Sequence, residues 1–349
     1  MVLGLAVLAL LVGRRADFVA AWHQLRSADL AWVGAAIVAE SGSLLAFAWL
    51  QHRVLRLSGA RIGLPGLLAL AVANDAIAST VPGEPAVSSA YRYRYYRRRG
   101  ASGASAGWTI FTILIAQAIG MSLVLLIGVA VALAGSTSAN RAGVALVGLV
   151  IVAGAGAVLL RRDLILRVAA GAVRAVRRLT GFPRSSIATR IETALARMRE
   201  IPLGRRPAAA VVALATAVWC CDFLCLVCSF RAVHAAIPWF AVLLAYGVAQ
   251  VAASVPVIPG GLGIVEGSLA VVLMAYGTGR VPAVAVALAF RVVNFWLAVI
   301  AGWVTVGLIA LRMRRLTKPD QDAALVAAAR AAEPVTAPPP GMADGQQPS

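Results

Sequence analysis

The chain has 349 residues, of which 61% are hydrophobic and 13% charged, and its formal net charge is +18. Soluble domains are typically about 45–50% apolar and about 25% charged, so this composition excludes an ordinary soluble domain. A basic nucleic-acid-binding protein would share the charge but not the hydrophobicity, and we expect no nucleic-acid partner. The composition predicts an all-α integral membrane protein.

Apolar runs along the chain are the candidate membrane spans, because a helix needs about 20 apolar residues to cross a hydrocarbon layer about 30 Å thick. Residues 1–12 are apolar but short. They lack the features of a cleaved signal peptide, and the interpretation as a truncated first span stays open. Residues 16–28 have the pattern of an interfacial amphipathic helix. The clear candidate spans are 30–50, 105–134, 141–160, 207–230, 238–256 and 282–311.

Two further apolar stretches are interrupted by proline and glycine. Residues 64–90 contain Val-Pro-Gly-Glu-Pro at 81–85, and residues 256–278 open with Pro-Val-Ile-Pro-Gly-Gly-Leu-Gly. A straight helix cannot run through either break, and irregular backbone at membrane depth persists only inside protein or beside a watery cavity. We therefore predict a polytopic transmembrane helix bundle of about seven to nine spans with two re-entrant or broken helices.

The basic residues indicate the orientation. Arginine accounts for 31 of the 32, and 24 of the 32 lie in four groups. These groups are residues 53–61, 92–99, 161–206 and 312–318. All four face the cytoplasm if 64–90 enters and leaves on one side, which predicts a multi-pass protein of the cytoplasmic membrane with a cytoplasmic C-terminus.

We expect a transmembrane domain over residues 1–316 and a disordered cytoplasmic tail over 317–349, which is rich in Ala, Pro and Gln. The loop 161–206 carries twelve arginines. It fits either helices near anionic headgroups or a plain solvated loop.

Ionisable residues within apolar spans are candidates for function. Arg291 lies in the middle of such a run and needs a carboxylate partner, with Glu266 expected first and Asp222 second. Structural pairing and a substrate or proton pathway both stay open. The other acidic residues in these stretches are Glu40, Asp75 and Glu84.

The remaining residue types predict no cofactor and no metal site. The four cysteines, Cys220, Cys221, Cys225 and Cys228, lie in one apolar run and are interpreted as packing residues. The three histidines are scattered and no nucleophile–base pair is evident, so we expect no enzyme.

The string Pro-Gly-Gly-Leu-Gly-Ile-Val-Glu-Gly at 259–267 is the most specific in the chain. Its amides, at Gly260, Gly261 and Gly263 before an apolar helix, suit an anion such as a phosphate headgroup. A packing hinge is the competing interpretation.

This string resembles the P-G-G-x-G-x-x-E signature of the lysylphosphatidylglycerol synthase transmembrane region, also called the flippase-like family. Further resemblance comes from the first break, from Asn74 before it, from Trp219 with Asp222, and from Arg291 with Trp296. The family commonly has an arginine soon after the first break, where this chain has Ser88 and Ser89. Arg92 or Arg94 would take its place.

The resemblance implies a membrane domain that binds and translocates anionic or polyprenyl-linked lipids, without the soluble aminoacyl-transferase domain of the related synthases. Arg92 and Arg94 would attract the headgroup, and the glycine amides and Arg291 would hold it. Glu84, Asp222 and Glu266 would set the charge balance, with Asn74, Asp75 and Trp296 in structural roles. Expected partners are anionic membrane lipids, with a homo-oligomer or an envelope enzyme left open.

Two other functions stay open at this point. A proton- or ion-coupled solute transporter would use the same buried carboxylates. A non-transporting membrane partner of an envelope-lipid enzyme would tolerate their neutralisation. The two breaks also echo each other in sequence, which points to a site between repeats as in many transporters; chance similarity in an Ala- and Val-rich chain explains the echo as well.

Overall fold

The structure of the protein is a computed structural model, and it describes residues 15–80, 84–135, 204–253 and 259–308. These ranges contain nine α-helices and no strand. The helices are α1 Arg15–Arg26, α2 Leu30–Leu57, α3 Leu64–Thr80, α4 Glu84–Arg98, α5 Gly103–Gly135, α6 Arg205–Ala232, α7 Trp239–Ala253, α8 Ile264–Ala275 and α9 Arg280–Arg291.

Four helices are long and apolar enough to cross a membrane: α2, α5, α6 and α9 with its continuation to Leu308. They confirm the predicted all-α membrane bundle and match the predicted spans 30–50, 105–134, 207–230 and 282–311. The predicted span 238–256 contains a shorter helix, α7. Residues 1–12, 141–160 and 317–349 lie outside the described residues, as does most of the loop 161–206, so the predictions made for them stay predictions.

The chain divides into two compact units, Met1–Trp303 and Val304–Ser349. All nine helices belong to the first unit. In the second unit the described residues, Val304–Leu308, are helical.

Helices α3 and α4 form a hairpin that starts and finishes at the same end of the bundle. Near the end of α4, the Tyr95 hydroxyl donates to the Gly66 carbonyl at the start of α3 (2.9 Å). The Ser105 hydroxyl at the start of α5 donates to the Ser58 carbonyl at the end of α2 (2.9 Å). The start of α3 and the end of α4 therefore lie at the same end of the bundle, as the arginine distribution required. We call this end of the bundle the arginine-rich end, since residues 53–61, 92–99 and 205–206 lie there.

Helices α7 and α8 form a second hairpin from the opposite end of the bundle. That end holds the start of α2 and the end of α6, because the Asp29 amide donates to the Ala232 carbonyl (2.9 Å). Helix α7 follows α6 after the short connection 233–238, and α8 packs along α7. The turn at Pro259–Gly261 between them lies against Ala253, the last residue of α7.

The end of α3 meets the turn at Pro259–Gly261. A Cβ built on Gly260 would come within 2.7 Å of the Ser79 carbonyl oxygen and would overlap the Phe295 ring. Gly260 also has a φ of 63°, in the left-handed region that favours glycine. The end of α3 and the glycine turn thus form one junction, between helices that enter from opposite ends.

Close packing of the helical continuation of α9 on α3 depends on another glycine, Gly302. A Cβ on Gly302 would lie 2.6 Å from the Val72 carbonyl oxygen and would overlap the Ala76 methyl group. Small residues at such contacts let helix backbones approach closely inside a membrane.

We expect Gly302→Ala to lower the free energy of unfolding by about 1–3 kcal/mol, the usual cost of overpacking. The matched control is Gly34→Ala in α2, where an added Cβ meets no atom within 4 Å. Because alanine favours helix by about 1 kcal/mol over glycine, the control should be neutral or stabilising. Thermal unfolding of both variants in one detergent measures the difference. Equal stabilities would contradict the proposed close contact.

Candidate functional site

An ion pair lies at the junction of the two hairpins. Arg291, the last residue of α9, donates from Nε to Oε1 of Glu266 in α8 (2.6 Å). The two side chains are only 7% and 15% exposed. The structure thus confirms the partner expected first for Arg291.

The same two side chains also hold the glycine turn. Arg291 Nη2 donates to the Gly260 carbonyl (2.7 Å), and Oε2 of Glu266 accepts the Gly263 amide (2.7 Å). The guanidinium lies over the Phe295 ring, 4.2 Å from its centroid. One buried ion pair therefore connects the turn at 259–263, the start of α8 and the end of α9.

This geometry bears directly on the predicted anion site. The Gly263 amide, one of the expected headgroup donors, is engaged by the Glu266 carboxylate at the N-terminus of α8. An anion arriving at Arg291 would compete with Glu266, and it would meet a carboxylate that a helix N-terminus stabilises. Binding of a headgroup by Gly260, Gly261 and Gly263 stays a prediction.

A second polar cluster surrounds Asp222, which is 5% exposed in the middle of α6. Its Oδ2 accepts the Tyr246 hydroxyl (2.5 Å) and the Gln250 side-chain amide (2.7 Å). Its Oδ1 accepts from Asn294 Nδ2 (2.6 Å), which also reaches Oε2 of Glu40 (3.3 Å). Asp222, the second candidate partner for Arg291, is thus bound by neutral groups instead.

Sequence reasoning missed three members of this cluster: Tyr246, Gln250 and Asn294. A signal for two of them was present, since Gln250 and Asn294 are amide side chains within apolar helices. For Tyr246 the sequence carries no such signal, because tyrosine is common in membrane helices. Glu40 was noted as an ionisable residue within a span but was given no role.

A π-helical segment, Val292–Leu297, links the two clusters. Arg291 immediately precedes it and Asn294 lies within it, so both clusters depend on the same short stretch of backbone. Single-turn π segments within α-helices are frequent at functional sites. Trp296 is half exposed and packs edge-to-face on Phe295, with ring centroids 5.2 Å apart; the guanidinium of Arg291 contacts Phe295 rather than Trp296.

The first hairpin carries the other predicted residues. Asn74 is buried in α3, where its Oδ1 has no hydrogen-bond partner among the described residues. Asp75 lies next to it, close enough to Glu40 for their charges to interact. Glu84 is the first residue of α4.

Helix α4 presents basic and aromatic side chains at the arginine-rich end. Its Tyr96 hydroxyl donates to Gln51 Oε1 in α2 (2.6 Å), which fixes the helix to the bundle. The Arg92 guanidinium lies over the Phe47 ring, 5.9 Å from its centroid, and Arg94 is exposed. The structure therefore places Arg92 and Arg94 on one anchored helix rather than in the junction itself.

The thiols fit the packing interpretation in the described residues. Cys225 and Cys228 are buried in the apolar core, and all four cysteines are free. Within the described ranges, no three His, Cys, Asp or Glu side chains come together in a way that could hold a metal ion.

Removing one partner of the buried ion pair should destabilise the fold strongly. We expect Arg291→Gln to lower the free energy of unfolding by about 3–5 kcal/mol, because it leaves the Glu266 carboxylate uncompensated. The double variant Arg291→Gln/Glu266→Gln should cost less than the sum of the single variants, since no lone charge remains. Unfolding titrations of the three variants in one detergent measure this coupling.

The control for this cycle is Arg231→Gln, which removes an exposed arginine at the end of α6. It should change the free energy of unfolding by no more than about 0.5 kcal/mol. Strictly additive costs of the two junction substitutions would show that Arg291 and Glu266 do not stabilise each other.

No curated protein matches the chain. A family model, described as the lysylphosphatidylglycerol synthase TM region, matches residues 1–302 and so covers both hairpins and the ion pair at their junction. The chain is a member of the family of the lysylphosphatidylglycerol synthase transmembrane region.

Proposed function

We propose that this protein binds anionic or polyprenyl-linked lipids and translocates them across the cytoplasmic membrane. The observation that supports the proposal most is the junction of two hairpins, which enter from opposite ends of the bundle and touch at Gly260 and Ser79. Secondary transporters commonly bind their substrates where broken helices meet between two repeats of inverted topology.

The charges at the junction suit an anionic headgroup. Arg291 is a buried cation with a guanidinium geometry that matches phosphate as well as carboxylate. In the described structure the guanidinium of Arg291 is paired with the carboxylate of Glu266. A lipid phosphate would take the place of the Glu266 carboxylate on Arg291, so that the protein keeps a paired arginine with and without its substrate.

The basic helix α4 provides the approach to this junction. Exposed Arg94 and the neighbouring tyrosines lie at the end of the bundle where arginine is concentrated. Each basic residue near an anionic membrane surface attracts lipid by about 1 kcal/mol. Helix α4 would gather anionic headgroups, and the junction would select those that can replace Glu266.

The family match supports a role in the membrane. It covers a transmembrane region only, and this is compatible with a non-enzymatic protein. We propose that the chain itself handles lipid without modifying it chemically, and that its arginine-rich end and C-terminus face the cytoplasm.

The test is a translocation assay with the full-length protein in liposomes that contain a fluorescent anionic lipid. An impermeant quencher added outside reports lipid that reaches the outer leaflet. Arg291→Ala and Glu266→Gln should slow movement by about tenfold or more, because hydrogen bonds to charged groups contribute about 1.5–3 kcal/mol and 1.4 kcal/mol is a factor of ten. Arg231→Gln should keep the wild-type rate.

A surface variant keeps the test valid if the junction variants fail to fold. Arg94→Gln leaves the buried junction intact and should slow anionic lipid more than a zwitterionic one. Folded, inserted wild-type protein that moves none of the tested lipids would refute the translocation proposal. Wild-type rates in both junction variants would refute the assignment of Arg291 and Glu266.

A further inference from the structure

The carboxyl groups of Glu40 and Asp222 form a buried pair that the lipid mechanism does not use. They are 9% and 5% exposed, and one amide nitrogen, Nδ2 of Asn294, lies 2.6 Å from Oδ1 of Asp222 and 3.3 Å from Oε2 of Glu40. Two ionised carboxylates held this close in an apolar interior repel each other, so one of them takes up a proton. The geometry therefore places one proton in the pair.

The surrounding donors indicate which residue carries this proton. Asp222 accepts hydrogen bonds from Tyr246, Gln250 and Asn294, at 2.5, 2.7 and 2.6 Å. Glu40 accepts a longer contact from Asn294, at 3.3 Å. An ionised carboxylate has about four acceptor positions, and three close donors fill most of them on Asp222. Asp222 is thus the ionised member of the pair and Glu40 the protonated one.

Titratable and charged groups approach the pair from most of the packed helices. Helix α3 contributes an acid whose charge acts on Glu40, and α5 contains no ionisable residue. Helix α9 contributes a cation already bound to a carboxylate. The acid of α3 is Asp75 and the cation of α9 is Arg291. Helix α7 contributes the Tyr246 hydroxyl, and α6 contributes the thiols of Cys221 and Cys225.

Asn294 connects this pair to the junction. Its side-chain amide donates to both carboxyl groups, and it lies three residues after Arg291 in the π-helical segment. If Glu40 lost its proton, two ionised carboxylates would share one amide donor, and like charges that close repel each other. The bridging amide of Asn294, and with it the backbone that holds Arg291, would have to move.

We propose that Glu40 carries a shared proton with Asp222, and that its release loosens the contact of Arg291 with Glu266 and Gly260 through Asn294. The position of the proton is independent of the lipid substrate. Its coupling to the junction rests on the proposed function and makes lipid movement a proton-controlled step.

Infrared spectroscopy of the purified full-length protein tests the proton directly. Wild type should show the carbonyl band of a protonated carboxylic acid at neutral pH, and Glu40→Gln should lose that component. Glutamine keeps the shape and hydrogen-bonding capacity of a protonated glutamate, so this variant should fold. The control is Asp29→Asn, which removes an exposed capping carboxylate that accepts the Ala31 amide and should leave the band unchanged.

Identical bands in wild type and Glu40→Gln would overturn the assignment. So would a band that survives in Glu40→Gln and disappears in Asp222→Asn, since the proton would then belong to Asp222. Circular dichroism and gel filtration of each variant show that its fold is retained.

Lipid movement over a series of pH values tests the coupling. The wild-type rate should rise by about fivefold or more from mildly acidic to mildly alkaline buffer, the lower end of typical coupling between sites. Glu40→Gln should give a flat profile, while Asp29→Asn should follow wild type. An unchanged profile in Glu40→Gln would refute the coupling, whereas wild-type protein without lipid movement would refute the proposed function and leave the infrared result to decide the proton.

Discussion

The structure depends on how a buried arginine is compensated within an apolar bundle. An unpaired cation in such surroundings costs several kcal/mol, so Arg291 must be held by groups of opposite polarity. Glu266 supplies a carboxylate and the turn at Gly260 supplies a carbonyl, which together satisfy two sides of the guanidinium. Because these partners come from an irregular turn and the start of α8, compensation of one charge also fixes the backbone where the second hairpin reverses.

The opposed hairpins follow from this arrangement. A turn inside a membrane exposes backbone polar groups that lipid cannot satisfy, so it must be buried against protein. Gly260 lets the turn approach the end of α3 and the ring of Phe295 more closely than any residue with a Cβ could. The first hairpin thus covers the second, and the contact between their tips places the ion pair between two groups of helices that are anchored at opposite ends.

Two polar clusters of different kinds share one stretch of helix. The junction cluster is an ion pair with a cation, whereas the partners of the Glu40–Asp222 pair are neutral hydroxyl and amide groups. A cation paired with a carboxylate suits exchange with an anionic ligand. Two carboxyl groups with neutral partners suit the exchange of a proton. The π-helical segment, Val292–Leu297, offers a physical route by which a change at one cluster reaches the other.

Composition and short motifs predicted much of this architecture. The hydropathy of the chain identified the long spans, because the thickness of the hydrocarbon layer sets the length of a helix that crosses it. Proline and glycine marked both breaks, and the isolated position of Arg291 required an acidic partner. The family signature at 259–266 singled out the turn and Glu266, the residues that Arg291 contacts.

The sequence favoured Glu266 over Asp222 as the partner of Arg291, but only the folded chain shows that Glu266 is the partner. Tyr246, Gln250 and Asn294 come together with Glu40 from three helical segments far apart in sequence, so no local pattern could reveal their cluster. The sequence by itself determined that the chain is a membrane bundle with two broken helices and a buried charge, since those features follow from hydrophobicity and backbone chemistry along the chain. Only the tertiary structure decided that the end of α3 meets the glycine turn, that Glu266 is paired with a cation and that Glu40 and Asp222 share an amide donor, because long-range packing brings those groups within hydrogen-bond distance.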